Sequence, residues 1–410
     1  MSKTRKFVLL TALYIAQGLP YGFFEQALPV LLRKAGTSLP FISLSSLLTI
    51  PWAAKFMWAP AVDRWHFWQL GLRRSWLLPL QLAAVVTFFS LAFVSPETDL
   101  SLILLAFLAT NLLAASQDIA TDGLAVDILD RTERGWCNGI QVAGYRLGMI
   151  IGGGALLVVY ELFRWPGMMA AMALVTLLCT LPVAFYEEPA RKVLPPVEMS
   201  QVLKEVLHFF IGHKGAPMWV IVLLVYKTGH SAATSMIRPW LVDKGYSLTD
   251  IAWILGTAGF FAGFVGAVIG GWLAARTKNR TKLLIVLGGL QVVAVFSYLL
   301  PVAIHASTAV IAFAAAFDHF TSGLATVTLF TLMMDACSKE RAASDYTIQA
   351  CLIVIATGVA KALGGFSAEF LGYQTHFALS GAIAAISIGL TWYLVSRPPV
   401  RDLLANGRTT

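Results

Sequence analysis

The sequence predicts an all-α membrane protein of twelve transmembrane helices, arranged as two pseudo-symmetric six-helix bundles. Three observations carry that expectation. Hydrophobic residues make up 58% of the 410 and charged residues only 13%, with a mean hydropathy of +0.73, which leaves too few charges to cover the surface of a soluble protein. At about 20 apolar residues per crossing plus short loops, the length holds roughly a dozen helices and no sizeable soluble domain. The chain also repeats itself at half-length: Asp118-Ile-Ala-Thr121-Asp122-Gly123-Leu124-Ala125 is answered by Asp318-His319-Phe-Thr321-Ser322-Gly323-Leu324-Ala325, each late in an apolar run.

The elements follow in order. The first helix is expected over Phe7 to Leu32, retained rather than cleaved, and broken in its middle by Gly18, Pro20 and Gly22; it carries Gln17 and Glu25. The second, Pro40 to Val62, contains Pro51 and Lys55 and leads into Asp63-Arg64 and a loop ending Arg73-Arg74. The third and fourth cover Trp76 to Val94 and Leu100 to Leu129. A fifth, rich in glycine from Gly139 to Gly154, holds Arg146, its small residues allowing close helix approach. The sixth spans Pro166 to Phe185. A polar linker, 187–215, then separates the halves, and its Val197 to Ile211 stretch has the spacing of an amphipathic surface helix. Helices seven to twelve are expected at Met218 to Val242, Ile251 to Ala275, Leu283 to Ile304, Ser307 to Ala336, Ala343 to Leu371 and His376 to Val395. The domains are therefore 1–186, the linker 187–215, 216–397 and a tail, 398–410.

Further echoes support two related halves. Pro29 to Leu39 resembles Pro239 to Leu248, the loop Asp63 to Arg74 resembles Gly271 to Arg280, Glu133-Arg134 returns as Glu340-Arg341, and Gly152-Gly153 as Gly364-Gly365. The net charge of +8 suggests topology rather than nucleic acid, because the basic residues sit in short loops between apolar runs. With the N-terminus inside, only Arg33, Lys34, Arg164 and Lys244 of the loop cations fall outside, so both termini are expected in the cytoplasm. Cys137, Cys179, Cys337 and Cys351 show no metal-ligand spacing and read as free thiols. No HExxH, GxSxG or Walker sequence is present, which argues against an enzyme and against self-powered pumping; no cofactor and no metal are expected.

Ionisable groups inside apolar helices are where function is expected, since each costs several kcal/mol unless it is paired, hydrated or neutralised. Asp118 and Asp122 are four apart, on one helical face. Glu25, Asp118, Asp122, Asp318 and His319 are candidate coupling groups; Lys55, Arg146, Lys227 and Lys361 are candidate counter-charges for an anionic solute, or structural partners of the same acids. His230 stands near Lys227 in sequence and is a cavity candidate. Tyr21, Phe24, Tyr226 and Trp240 lie on irregular helices, where a ring could stack on an aromatic solute. Asp63, Arg64, Arg73, Arg74, Arg276 and Arg280, with Asp127 on the far side of the fourth helix from Asp118, are the expected cytoplasmic gate.

Two six-helix halves, with an Asp-Arg to Arg-Arg loop after the second helix and its relative after the eighth, resemble the major facilitator superfamily. Gln117-Asp118-Ile-Ala-Thr-Asp122 with Glu133-Arg134-Gly135 and Gly144-Tyr145-Arg146-Leu-Gly148 resembles the anhydromuropeptide permease group, as does Pro51 to Arg64 around Lys55. The opening Gln17-Gly18-Leu19-Pro20-Tyr21-Gly22 resembles a compact branch of that group, the rhizobactin and pyochelin type of siderophore permease. The resemblance implies a multi-pass carrier of the bacterial inner membrane, surrounded by lipid bilayer and working by alternating access; a monomer is expected, since one twelve-helix chain would already enclose a pathway between its halves. Its implied cargo is a bulky, partly anionic small molecule, first an iron chelate and next an anhydromuropeptide or acetyl-CoA, with protons as the coupling ion of a symport. A non-transporting membrane receptor is the reading from another class.

Overall fold

The computed structural model describes residues 1–28, 50–66, 70–96, 98–189, 204, 212–303 and 307–406. The echo at 29–39, the start of the second helix and the amphipathic stretch 197–211 lie outside these residues, apart from the single position 204. No strand occurs among the described residues.

Helix α1 is Lys3–Gly22, started by Ser2, whose hydroxyl accepts from the backbone N–H of Arg5 at 3.4 Å. The expected break at Gly18 to Gly22 is not there: the helix runs through Pro20 and is distorted one turn later, in a π-helical turn Phe23–Ala27. Its glycines serve contact instead. A Cβ on Gly18 would lie 2.0 Å from the Tyr145 carbonyl oxygen, and one on Gly152 would lie 2.0 Å from that of Leu19. Backbone therefore touches backbone between α1 and α5, as small residues permit.

The described part of α2 is irregular throughout: Ile50–Ala54, a 3₁₀ turn Lys55–Met57, then Ala59–Val62. Pro60 lacks an N–H to bond back and its ring crowds the preceding turn, which accounts for the break ahead of it. Helices α3, Arg74–Leu91, and α4, Leu100–Ile128, are continuous. α5 begins as Arg134–Ile150 and passes through the π-helical turn Ile151–Ala155 into Leu156–Ala184, which is broken at Arg164; α6 is 165–184.

α7 is Ala216–Val225, Thr228–Ser235 and Ile237–Asp243, interrupted at Lys227 and Met236. α8 is Leu248–Ile251, a π-helical stretch Ala252–Ala258 and Gly259–Arg276. α9 is Arg280–Ser297, continued by Leu299–Ala303, and α10 is Thr308–Asp335. Ala342–Val395 holds α11 and α12, separated at Gly372. The tail forms a further helix, α13, Pro398–Asn406.

Among the described residues, eight stretches are long and apolar enough to cross a membrane. Two of them, 51 and 54 residues long, are double spans turned at Arg164 and Gly372. Counting each of those twice, and adding α1 and α2, gives the twelve crossings.

The chain forms two compact units that do not follow chain order: one is 1–129, 143–206 and 339–347, the other 130–142, 207–338 and 348–410. The short start of α5 thus belongs with the second half, and the short segment before and into α11 with the first, so the units differ from the expected blocks 1–186 and 216–397. In the first unit the core is Phe23, Phe24, Phe88, Phe107, Trp165 and three methionines of α6. In the second it is Ile237, Trp240, Leu241, Tyr298 and Phe377 with their aliphatic neighbours.

Candidate functional site

In the first unit, polar groups gather where α2 is irregular. Lys55, 4% exposed, forms an ion pair with Asp118 of α4. One turn on, Asp122 accepts from the Tyr14 hydroxyl at 3.1 Å. Trp52 and Trp58 anchor α2 on the same helix by donating to the Asn111 side-chain oxygen and to Ser116 Oγ, both at 3.1 Å. The Lys55 ammonium lies 5.3 Å from the Trp52 ring centre, and Tyr21 contacts both Trp52 and Tyr145, at centroid distances of 6.2 and 5.6 Å. A lysine, two carboxylates and an aromatic cluster are thus held together at a helix interruption. Such a buried pair repays its desolvation only through good geometry, so anything that takes one partner changes the state of the other.

At the helix ends of the same unit lies a second cluster. Arg73, fully buried, donates to Asp63 Oδ1 and Asp127 Oδ2, each at 2.8 Å, and to the Val62 carbonyl at 3.1 Å. Burial opposes its charge, but the two carboxylates outweigh burial and raise its pKa above the ordinary value. Asp63 also accepts from the backbone N–H groups of Ala343 and Ser344 at 3.1 and 2.8 Å, and from the Ser344 hydroxyl at 2.5 Å. The Glu188 carboxylate in turn accepts from the N–H groups of Arg73 and Arg74, the nearest at 2.8 Å. That satisfies orphan donors at the start of α3. The Arg74 side chain donates to the Ala184 carbonyl, and Arg64 donates to that of Pro60 at 3.3 Å.

The second unit has its own pair of clusters. Lys227, at the interruption of α7, lies 3.4 Å from Ser322 Oγ, and His230 Nε2 lies 3.1 Å from Asp318 Oδ1. The His319 ring packs where a Cβ on Gly259 of α8 would sit. At the helix ends, Arg280 Nη1 pairs with Asp335 Oδ2 at 2.6 Å and its Nε donates to the Ala274 carbonyl at 3.2 Å; it also reaches the Arg131 carbonyl. Arg134 pairs with the other oxygen of Asp335 at 2.9 Å.

Several expected residues sit elsewhere. Phe24 is in the core against Phe107, at a centroid distance of 5.3 Å, and Trp240 is 1% exposed beside Phe377. Tyr226 is buried, its hydroxyl donating to the Leu284 carbonyl at 2.9 Å. These three rings are consumed by packing, and Tyr21 alone of the four aromatics joins a polar cluster. Arg276 lies over the Trp272 ring at 4.7 Å rather than in the Arg280 cluster. Lys361 is exposed, without an ion pair among the described residues, and Arg146 is half-buried on α5. Glu25 falls in the π-helical turn, and its side chain lies outside the described residues.

The sequence reading missed Asp335 and Arg134 as site residues. The signal was available: Asp127 and Asp335 are each the twenty-eighth residue of their helices, α4 and α10. The repeat chosen from sequence is displaced, for Asp118 is the nineteenth residue of α4 and Asp318 the eleventh of α10. Eight residues at 1.5 Å each put them about 12 Å apart in helix position.

Apolar crossings in two related halves, with a buried Lys55–Asp118 ion pair at a helix interruption and arginine–carboxylate pairs at helix ends, define a multi-pass membrane carrier. The chain belongs to the Major Facilitator Superfamily, whose sequence profile matches residues 10–360. It is 28% identical to the anhydromuropeptide permease of Escherichia coli K12 over 391 residues, covering 95% of this chain and 79% of that one. Among solved structures it resembles the human organic anion transporter MFSD10, with TM-score 0.74, 14% identity, and coverage of 95% and 100%. It also resembles the transporter FucP in its outward conformation, with TM-score 0.70, 13% identity, and coverage of 95% and 98%. At those identities the structures show the fold alone.

Proposed function

We propose that this chain is a secondary transporter of the bacterial inner membrane that imports an anhydromuropeptide-like solute, a sugar-bearing peptide with free carboxylates, by alternating access. The observation that carries the reading is the Lys55–Asp118 pair with Asp122 beside it, next to Tyr21, Trp52 and Tyr145, in a chain related over 95% of its length to an anhydromuropeptide permease. Sugar rings suit flat aromatic faces, and a carboxylate needs a buried cation. The ferric siderophore that the opening sequence put first gains nothing from these relatives, and the runner-up takes its place.

The mechanism follows from the pair. A solute carboxylate that engages Lys55 takes the counter-charge from Asp118, and a proton on Asp118 then supplies what the lysine no longer does. Solute and proton are thereby loaded together. The Asp63–Arg73–Asp127 cluster of the first unit and the Arg280–Asp335 cluster of the second each take a gating role at the cytoplasmic helix ends.

The test is uptake of radiolabelled anhydromuropeptide into energised vesicles, with ferric pyochelin as the competing solute. Uptake that a protonophore abolishes and that Lys55→Ala and Asp118→Asn each reduce at least tenfold is the expected result. Uptake of the ferric chelate with none of the muropeptide overturns the substrate; uptake indifferent to both substitutions overturns the site.

A further inference from the structure

A cavity of about 390 Å³ opens on the second unit between the start of α9, the end of α12 and α13, away from the clusters above. Its polar lining includes Lys282, Thr281, Ser396 and Arg401, and its apolar lining includes Val286 and Trp392; no acid lines it. Lys282 and Arg401 are exposed and in no ion pair among the described residues. The N-terminus of α9 is already capped, since the Asn279 side chain accepts from the Lys282 N–H at 2.9 Å and from Thr281 Oγ1 at 2.8 Å. The two cations, not the helix end, make the site.

Both are carried on fixed elements. α13 buries Val400, Leu403 and Leu404, and its last carbonyls, on Leu404 and Ala405, accept from Arg131 at 3.1 and 2.6 Å, so the helix is pinned on one face and capped at its end. That leaves Arg401 at the cavity. The apolar side continues onto membrane-facing surface: Val286 is 58% exposed and Trp392 is 62% exposed. Beside it, Arg397 lies 4.0 Å over the Tyr393 ring. Cations and aromatic rings at the ends of apolar helices mark the headgroup level of a bilayer.

A cavity that is cationic at one end, free of acid and apolar toward the membrane complements an amphiphilic anion. We propose that it binds an anionic phospholipid, Lys282 and Arg401 clasping the headgroup phosphate while an acyl chain follows Val286 and Trp392. A free phosphate would have no use for the apolar side, and a zwitterionic lipid would leave one cation unanswered.

Native mass spectrometry of the full chain in detergent, titrated with phosphatidylglycerol, phosphatidylcholine or inorganic phosphate, tests this. Each cation near an anionic headgroup is worth about fivefold in affinity, so Lys282→Gln with Arg401→Gln should weaken phosphatidylglycerol binding about twenty-five-fold. Lys278→Gln with Lys214→Gln, which takes the same charge from exposed positions outside the cavity, should change it less than threefold. Trp392→Ala, which keeps both cations, should also weaken the lipid severalfold and serves if the double variant does not fold. Equal binding by the cavity variants and the wild type overturns the proposal. So does equal loss in the control, or phosphatidylcholine binding as tightly, or inorganic phosphate displacing the lipid at equal concentration.

Discussion

Lys55 and Asp118 differ from a surface pair in what the loss of one partner leaves behind. Removing Lys55 alone strands a carboxylate among apolar helices, and breaking a buried pair in this way costs about 3–5 kcal/mol, whereas replacing both partners by apolar residues is often neutral. Lys55→Ala should therefore lower the melting temperature in detergent by many degrees, and Lys55→Met with Asp118→Leu should recover most of it while remaining inactive in uptake. Stability without transport in the double variant would separate the pair's structural role from its functional one; an active double variant would take the pair out of the mechanism. A second residue-scale expectation concerns Arg164, which turns α5 into α6 at φ 56°, ψ −164°. That region is essentially confined to glycine, and Gly372 occupies the corresponding turn between α11 and α12 at φ 75°, ψ 161°. A side chain there costs on the order of 1–3 kcal/mol. Arg164→Gly should raise the melting temperature with uptake unchanged, and a fall would show that the arginine side chain makes a compensating contact.

At the scale of elements, the sequence told more about where helices lie than about how they correspond. Hydropathy placed α3, α4, α6 and α10 within a few residues, because a span must satisfy its backbone internally and so has sharp ends. The match of Asp118–Ala125 with Asp318–Ala325 misled, because a four-residue polar spacing fits a helix at any height. Only Asp127 and Asp335, tied by arginines to the ends of α4 and α10, fix the register between the halves. α2 is interrupted ahead of Pro60, where the sequence predicts one continuous helix, and α1 is not broken where the sequence predicts a break, because Pro20 is accommodated and the glycines face α5. Gly18→Ala tests that contact. A methyl group 2.0 Å from the Tyr145 carbonyl oxygen must push the helices apart, so the substitution should destabilise by about 1–3 kcal/mol as overpacking does, read as a lower melting temperature. Cross-linking of cysteine pairs between α1 and α5 should slow in parallel.

For the whole molecule, charge distribution is the one property that sequence fixes without help from packing. The arginines of the helix-end clusters, Arg73, Arg74, Arg134 and Arg280, lie at ends of apolar helices, and Arg164 and Lys244 lie at opposite ends of theirs. Orientation in the bilayer follows the Lys and Arg bias of short loops, and an even number of crossings returns the chain to the side on which it began. Both termini should then face the cytoplasm. Green fluorescent protein fused after Asn406 should fluoresce, while alkaline phosphatase fused after Lys244 should be active and the same enzyme fused after Lys278 inactive. The reverse pattern would invert the carrier, placing the Arg73 and Arg280 clusters on the outer face and the proposed lipid site in the outer leaflet. In that case the uptake assay would have to be run with everted vesicles. Activity on both sides of one loop would instead mean that the double spans at Arg164 or Gly372 do not each cross twice, and the count of twelve would fall with them.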